Sequence, residues 1–299
     1  MTNSSTPIER YLEYLRSTRK VSGKTLVAYG ADLRDFAGFC ANRDIEPAAA
    51  NTADLRIFIG DMSLEQKASV SVNRALSSLR GFFRYLAYFG ERLDNPSDAL
   101  KNLKTQSRLP SFLWETEMAD FADLPEKEGV LWPLRDKALI LTMYSAGLRI
   151  SELCSLTQDN IEHGCTRAKI LGKGGKERYV FFSEEGTAAI TAYLPARAAR
   201  VKSEKQVEAL FINKRGGALS AQGVRWITNV YSQRSNLPKH IHPHALRHSF
   251  ATHLVNAGCD IRVVQELMGH ENLSTTQRYT HVNMEQLKAV YHKAHPHAN

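Results

Sequence analysis

The stretch DNPSDALKNLKTQSRLPS, residues 94–111, constrains the fold more than any other. It is polar and basic and is bounded by Pro96 and Pro110. A segment of this composition reads as a connector between domains. The sequence therefore divides into residues 1–94, a linker at 95–111 and a larger part at 112–299. The connector has two readings. It is a plain solvated linker, or its lysines and Arg108 follow a phosphate backbone as the chain wraps round a duplex.

The first part reads as four helices. Apolar or aromatic residues at 8, 11, 12 and 15 form a helical stripe between Ile8 and Arg19. Ser22 resembles an N-cap for a helix carrying Leu26, Tyr29, Leu33, Phe36 and Phe39. Thr52 is expected to cap a shorter helix with Leu55, Phe58 and Ile59. A longer helix from Ala68 to Phe89 follows, with Val72, Ala75, Leu79, Phe82, Phe83 and Leu86 on one face. Helices of these lengths make a small bundle. Nothing in this part suggests an active site.

The second part is expected to be mostly helical with a small antiparallel sheet, so the whole chain reads as a mainly α, two-domain protein. Leu134 to Ala146 contains ALILTMYSA and is expected to be a buried helix, with a short helix at Ser151 to Leu156. Two β-like runs, TRAKILG and ERYVFFS, flank Lys173-Gly-Gly-Lys176 and predict a hairpin. Residues 209–212, ALFI, are expected to add a third strand. Helices resume after Glu184 and dominate from Ser220 onward.

Composition bounds the setting. An apolar share of 43 % supports a real core. No apolar run approaches the roughly 20 residues of a membrane span, and the N-terminus lacks the pattern of a secretory signal. A cytoplasmic protein is expected. The four cysteines, at 40, 154, 165 and 259, show no CxxC spacing, which argues against a zinc knuckle or a redox pair. Net charge is +8, with basic residues in excess in both parts, as in a protein that touches a polyanion with each.

Five local features carry chemistry. Arg149 and Glu152 are three residues apart on one helical face, so the carboxylate can hold the guanidinium. Lys173 lies in the glycine-rich turn LGKGGKER, which lacks the spacing of a nucleotide-binding loop. HPHALRHSFATHL, residues 242–254, puts His244 and Arg247 on one face and Leu246, Phe250 and Leu254 on another. Its HxxxH has no acidic residue between the histidines, and no carboxylate or cysteine cluster completes a zinc site. Gly269 resembles a helix stop, with His270 in the turn beyond. Tyr279 is either a packing residue or a nucleophile. Each feature alone has a bland reading: a surface ion pair, a basic turn, a core histidine. Together they form the set of cations and proton carriers that neutralises a phosphodiester in its five-coordinate state. Nearby cations ease ionisation of a phenol, and a covalent step divides one hard reaction into two easier ones. So much fixed positive charge makes a magnesium ion unnecessary.

GLRISEL, GKGGKER, HPHALRHSFATHL, VQELMGH and LSTTQRYTHV, in this order, resemble the tyrosine recombinase (phage-integrase-like) family. The likeness covers nearly the whole chain and is strongest across 135–295. It is nearest to the Xer subgroup, which resolves chromosome dimers, and VQELMGH with the closing VYHKAHPHAN resembles that subgroup's XerC branch. The resemblance implies that Arg149 and Arg247 bind the scissile phosphate and that Lys173 protonates the leaving 5′ oxygen. It makes His244 the general base or proton shuttle and has His270 support the phosphate. Glu152 orients the first arginine, and Tyr279 becomes a 3′-phosphotyrosine. It further implies a C-shaped clamp on duplex DNA, with no metal ion or ATP. A tetramer on two DNA sites is expected, either of this chain alone or with a second Xer-type recombinase. A division-associated activator is a further implied partner. The segment from Glu285 to His292 is expected to dock on a neighbouring protomer. Two other readings are a relaxing type IB topoisomerase and a DNA-binding protein that never cuts.

Overall fold

The computed structural model describes residues 5–104, 112–172, 177–201 and 207–269. It separates into two compact units, divided after Ser107. Among the described residues no helix is long and apolar enough to cross a membrane.

The first unit holds α1 (Pro7–Ser17), α2 (Gly23–Ala41), α3 (Thr52–Leu64) and α4 (Ser69–Tyr88). The helical stripes close on one core, in which Leu33, Phe36, Leu55, Val72, Leu79, Phe82, Phe83 and Leu86 are buried. Fully burying each such side chain contributes about 1.5–3 kcal/mol. Ser22 caps α2 by accepting from the Thr25 N–H. Thr52 does not cap α3. The Asn51 side chain accepts from Ala53 and Asp54, and Asp54 returns a bond to the Asn51 N–H. Amides cap well because the short carbonyl reaches the orphan donors directly. The Thr52 hydroxyl donates instead to the Pro96 carbonyl at 2.9 Å. The beginning of the polar connector is thus fastened to this unit, and Leu100 and Leu103 pack against its core. Asn73 exchanges hydrogen bonds with the main chain of Leu103 at 3.0 and 2.8 Å. Arg108 lies outside the described residues.

The second unit is built round α6 (Pro133–Ser145), buried on every side from Ala138 to Ser145. The apolar run of the sequence is therefore a central core helix. It packs against α5 (Glu115–Glu128), α8 (Glu184–Ala198) and α10 (Pro243–Asn256). The helix α5 is not apparent in the sequence. It is opened by Glu117, which accepts from the Trp114 N–H, and closed by Gly129 in the left-handed region. Short α7 (Ile150–Ser155), then α9 (Ala221–Arg234) and α11 (Ile261–Met268), are the remaining α-helices of this unit among the described residues.

β1 (Arg167–Leu171) and β2 (Glu177–Phe181) form the expected antiparallel hairpin, with Ile170 opposite Arg178 and Ala168 opposite Val180. Among the described residues the sheet has two strands rather than three. The segment 209–212 makes only isolated bridges, to Thr157 and Ala218. Its carbonyls are otherwise engaged. The Arg197 guanidinium donates to those of Ala209 and Leu210, which removes acceptors that a ladder would need.

Candidate active site

The turn between α6 and α7 sets the site. Gly147 there has φ +55°, and a Cβ on it would lie 2.4 Å from the Phe250 ring. Only glycine fits, both for the backbone and for the packing of α10 against the turn. The next residues, Leu148 and Ile150, are buried, and Arg149 precedes the first turn of α7. Its N–H donates to Glu152 Oε2 and its Nη1 to Glu152 Oε1, each at 2.8 Å. This is not a surface ion pair. Glu152 is 4 % exposed.

Two more guanidinium groups reach the same carboxylate. Arg178, on β2, donates from Nη1 to Oε1 at 2.9 Å and from Nη2 to Oε2 at 3.1 Å. Arg247, on α10, places Nη1 3.7 Å from Oε2. It donates elsewhere, from Nη1 to the Gly147 carbonyl and from Nη2 to that of Met268 at 2.7 Å. Glu152 responds to two opposed effects. Burial alone would push its carboxyl up, but the hydrogen bonds and charges of Arg178 and Arg149 bring it below the usual range. It stays ionised at neutral pH. For Arg247, burial and then the charge of Arg149 draw the guanidinium down to about 10, still well above neutrality.

The end of α11 closes the arrangement. Arg178 Nε donates to the Leu267 carbonyl at 3.3 Å, Arg247 Nη2 to Met268, and Arg149 Nη2 to Gly269 at 2.9 Å. Three successive carbonyls thus meet three different arginines. The last carbonyls of a helix lack internal partners and carry partial negative charge, which suits cations there. Gly269 adopts φ +64°, and ends the helix as its sequence context predicts.

Arg149, Glu152 and Arg247 therefore converge, and Arg178 joins them. Sequence reasoning missed Arg178 because a charged strand residue reads as solvated. Its signal was the alternation: it shares a face with buried Val180 and lies opposite buried Ile170. His244 sits exposed on the first turn of α10, three residues before Arg247. Leu246, Phe250 and Leu254 are all buried, as the pattern predicts. The remaining histidines of this region divide by environment. His253 is buried between the Tyr144 hydroxyl at 2.7 Å and the Leu113 carbonyl at 2.8 Å. His242 is drawn below the ordinary imidazole value, first by burial and then by His244 and His240. Among the described residues, no group of three His, Cys, Asp or Glu side chains is arranged to hold a metal ion. Lys173, His270, Tyr279 and the segment from Glu285 to His292 lie outside the described residues.

Three guanidinium groups share one carboxylate, so the cluster carries an excess of positive charge. Each guanidinium has five N–H donors. Among the described residues, Arg149 and Arg247 each spend two on the protein, which leaves three apiece for a tetrahedral anion. Planar forks of this kind match non-bridging phosphate oxygens in pairs.

The profile of the phage integrase family matches residues 112–286, and that of its N-terminal SAM-like domain matches residues 8–88. The chain belongs to the phage integrase family. Among curated relatives, it is 40% identical over 300 residues to "Tyrosine recombinase XerC" of Treponema denticola, covering 97% of this chain and 98% of the relative. It is 37% identical to the protein of that name from Listeria monocytogenes serotype 4a, over the full length of both. A Tn1549 transposon integrase, solved in complex with transposon right end DNA, shares the fold with a TM-score of 0.72 at 21% identity. That match covers 95% of this chain and 98% of the other. This phage integrase family member is thus a XerC-like tyrosine recombinase, a DNA strand transferase of site-specific recombination.

Proposed function

We propose that this protein cuts and rejoins duplex DNA at a specific site through a 3′-phosphotyrosyl intermediate on Tyr279, and that it resolves chromosome dimers at cell division. The observation that carries the reading is the convergence of Arg149 and Arg247 on Glu152, with donors left over on both arginines. In the proposed reaction, Arg149 and Arg247 hold the non-bridging oxygens of the scissile phosphate. The Tyr279 oxygen attacks phosphorus, its proton passing to His244, and the bond to the 5′ oxygen breaks. Lys173 protonates that leaving oxygen, and His270 donates to the phosphate. The reverse sequence, with a new 5′ hydroxyl as nucleophile, reseals the strand and frees the tyrosine. The bond energy is conserved in the phosphotyrosine, so resealing needs no ATP, and the fixed positive charge of the arginines takes the place of a metal ion.

The reading extends to partners and place. The helical part at 1–94 and the catalytic part at 112–299 each touch the duplex, with the connector at 95–111 joining them. Phosphate contacts set the register and base edges set the site. Two DNA sites are held by a tetramer, of this chain alone or with a second Xer-type recombinase, in the cytoplasm. A division-associated protein is the expected activator. The XerC-named relatives support this assignment.

The test is to trap the intermediate. Chromosomal DNA of the source cell is incubated with the protein in EDTA without ATP, denatured in detergent, and the covalently attached fragments are sequenced. One recurrent site, linked through a 3′ phosphate to Tyr279, is expected. Tyr279→Phe is expected to bind the same fragments and form no adduct. An adduct from the Phe variant, or strict dependence on magnesium, overturns the proposed chemistry.

A further inference from the structure

The role of Arg178 follows from a count of acceptor sites. An ionised carboxylate offers four lone-pair positions. On Glu152 they are filled by the Arg149 N–H, Arg149 Nη1, Arg178 Nη1 and Arg178 Nη2, all within 3.1 Å. Arg247 Nη1, at 3.7 Å from Oε2, makes no hydrogen bond to the carboxylate. It is aimed by two carbonyls instead, those of Gly147 and Met268. Two of the four positions thus belong to Arg178, whose hydrogen bonds among the described residues go to Glu152 and to the Leu267 carbonyl.

We infer that Arg178 is a positioning residue that saturates Glu152 and thereby keeps the carboxylate from capturing Arg247. The inference deepens the reading of this site as a phosphodiester clamp and rests on it. With Arg178 removed, two lone pairs of a buried carboxylate fall empty beside a buried guanidinium. In a poorly screened interior the attraction between them is strong. A movement of under about 1 Å brings Arg247 Nη1 into hydrogen-bond range. The fork then turns from the ligand toward Glu152, and two donors aimed at a phosphate are withdrawn. Arg178 has a second effect through Nε, which ties the last turn of α11 to the same carboxylate. A lysine in its place supplies charge but only a point of contact, so it fills the positions incompletely.

The experiment combines two readouts on the full chain. The first is the rate of covalent adduct formation on a nicked duplex bearing the mapped site. The second needs no DNA: inorganic phosphate is titrated while the Nε–H resonance of Arg247 is followed by nuclear magnetic resonance. Arg178→Gln is expected to slow adduct formation at least tenfold and weaken phosphate binding by a similar factor, with DNA retention unchanged. Arg178→Lys is expected to fall between the native protein and the Gln variant. It carries the test if the Gln variant does not fold. The deciding arm is Glu152→Gln placed in the Arg178→Gln or Arg178→Lys background. The neutral amide cannot capture Arg247 as an anion does, so phosphate affinity and rate are expected to rise at least threefold above the single variant. A scaffold role for Arg178 would give further loss instead. Further loss in the double variant, or native phosphate affinity in Arg178→Gln, overturns the inference. If the native protein binds phosphate as described but forms no adduct on any DNA, the proposed reaction fails and the positioning role stands. If the native protein forms the adduct and the Arg178 variants match it, the positioning role fails alone.

Discussion

Arg149 donates to the carbonyl of Gly269, 120 residues away in sequence, over 2.9 Å. The residue that caps the start of α7 and the residue that caps the end of α11 are therefore one bonded unit. The position of the Arg149 guanidinium is thus tied to the end of α11.

Gly269→Ala disturbs this unit directly. The position has φ +64°, and a Cβ there would lie 3.0 Å from Arg178 Nη1. The left-handed backbone alone costs an alanine about 1–2 kcal/mol, and the Arg178 fork has to shift. We expect a lower urea midpoint together with several-fold slower adduct formation. Unchanged adduct formation would show that Arg178 accommodates the methyl group.

Gly147→Ala is expected to be more severe. It combines φ +55° with a Cβ only 2.4 Å from the Phe250 ring. Overpacking of a core costs about 1–3 kcal/mol beyond the backbone term. Phe250→Leu in the same chain removes the colliding ring edge. The double variant should therefore be less destabilised than the sum of the two singles, measured by urea denaturation.

Arg247→Lys keeps a positive charge and loses the fork. A lysine cannot donate to the Gly147 and Met268 carbonyls from two fixed nitrogens while facing a ligand. Loss of a preorganised donor to developing charge costs about 10²–10³ in rate. Adduct formation should fall by that order with duplex binding nearly intact. A loss of duplex binding equal to the loss of rate would mean that Arg247 serves ground-state binding only.

Glu152 makes stability depend on pH. Its carboxyl is lower in the folded protein than in the unfolded chain, where it titrates near about 4.3. The stabilisation is complete above that value and is lost as pH falls through the lower folded one. Asp136 works with the opposite sign. Burial raises its carboxyl despite Arg135 and the 2.9 Å bond from the Tyr231 hydroxyl, so acid relieves rather than removes its contribution. The share of Glu152 is read by comparison with Glu152→Gln. Between pH 7 and pH 3 the native urea midpoint should fall more steeply than that of the variant.

Much of this was legible in the residues, for physical reasons. The run ALILTMYSA marked a helix wrapped on all sides, and two β-like runs separated by glycines marked the hairpin. Leu246, Phe250 and Leu254 fixed the buried face of α10. Other parts depend on partners that are remote in sequence. α5 escaped because acidic residues dilute its stripe and a proline falls inside it, and the burial of Met118, Phe121, Ala122 and Pro125 reveals it. The capping role fell to Asn51 rather than Thr52 because the Thr52 hydroxyl is drawn to Pro96. The expected third strand gave way to Arg197, whose guanidinium claims its carbonyls. Arg178 escaped for the same kind of reason: no local pattern states that a carboxylate 26 residues earlier will need its two remaining acceptors filled.

The three arginine bonds to the final turn of α11 also set a leash. The chain leaves the cluster at Gly269, moored through its own carbonyl to Arg149. Tyr279 follows ten residues later, and ten extended residues span at most about 36 Å. The Cα of Tyr279 is therefore tethered within about 36 Å of the Cα of Gly269, the residue moored to Arg149.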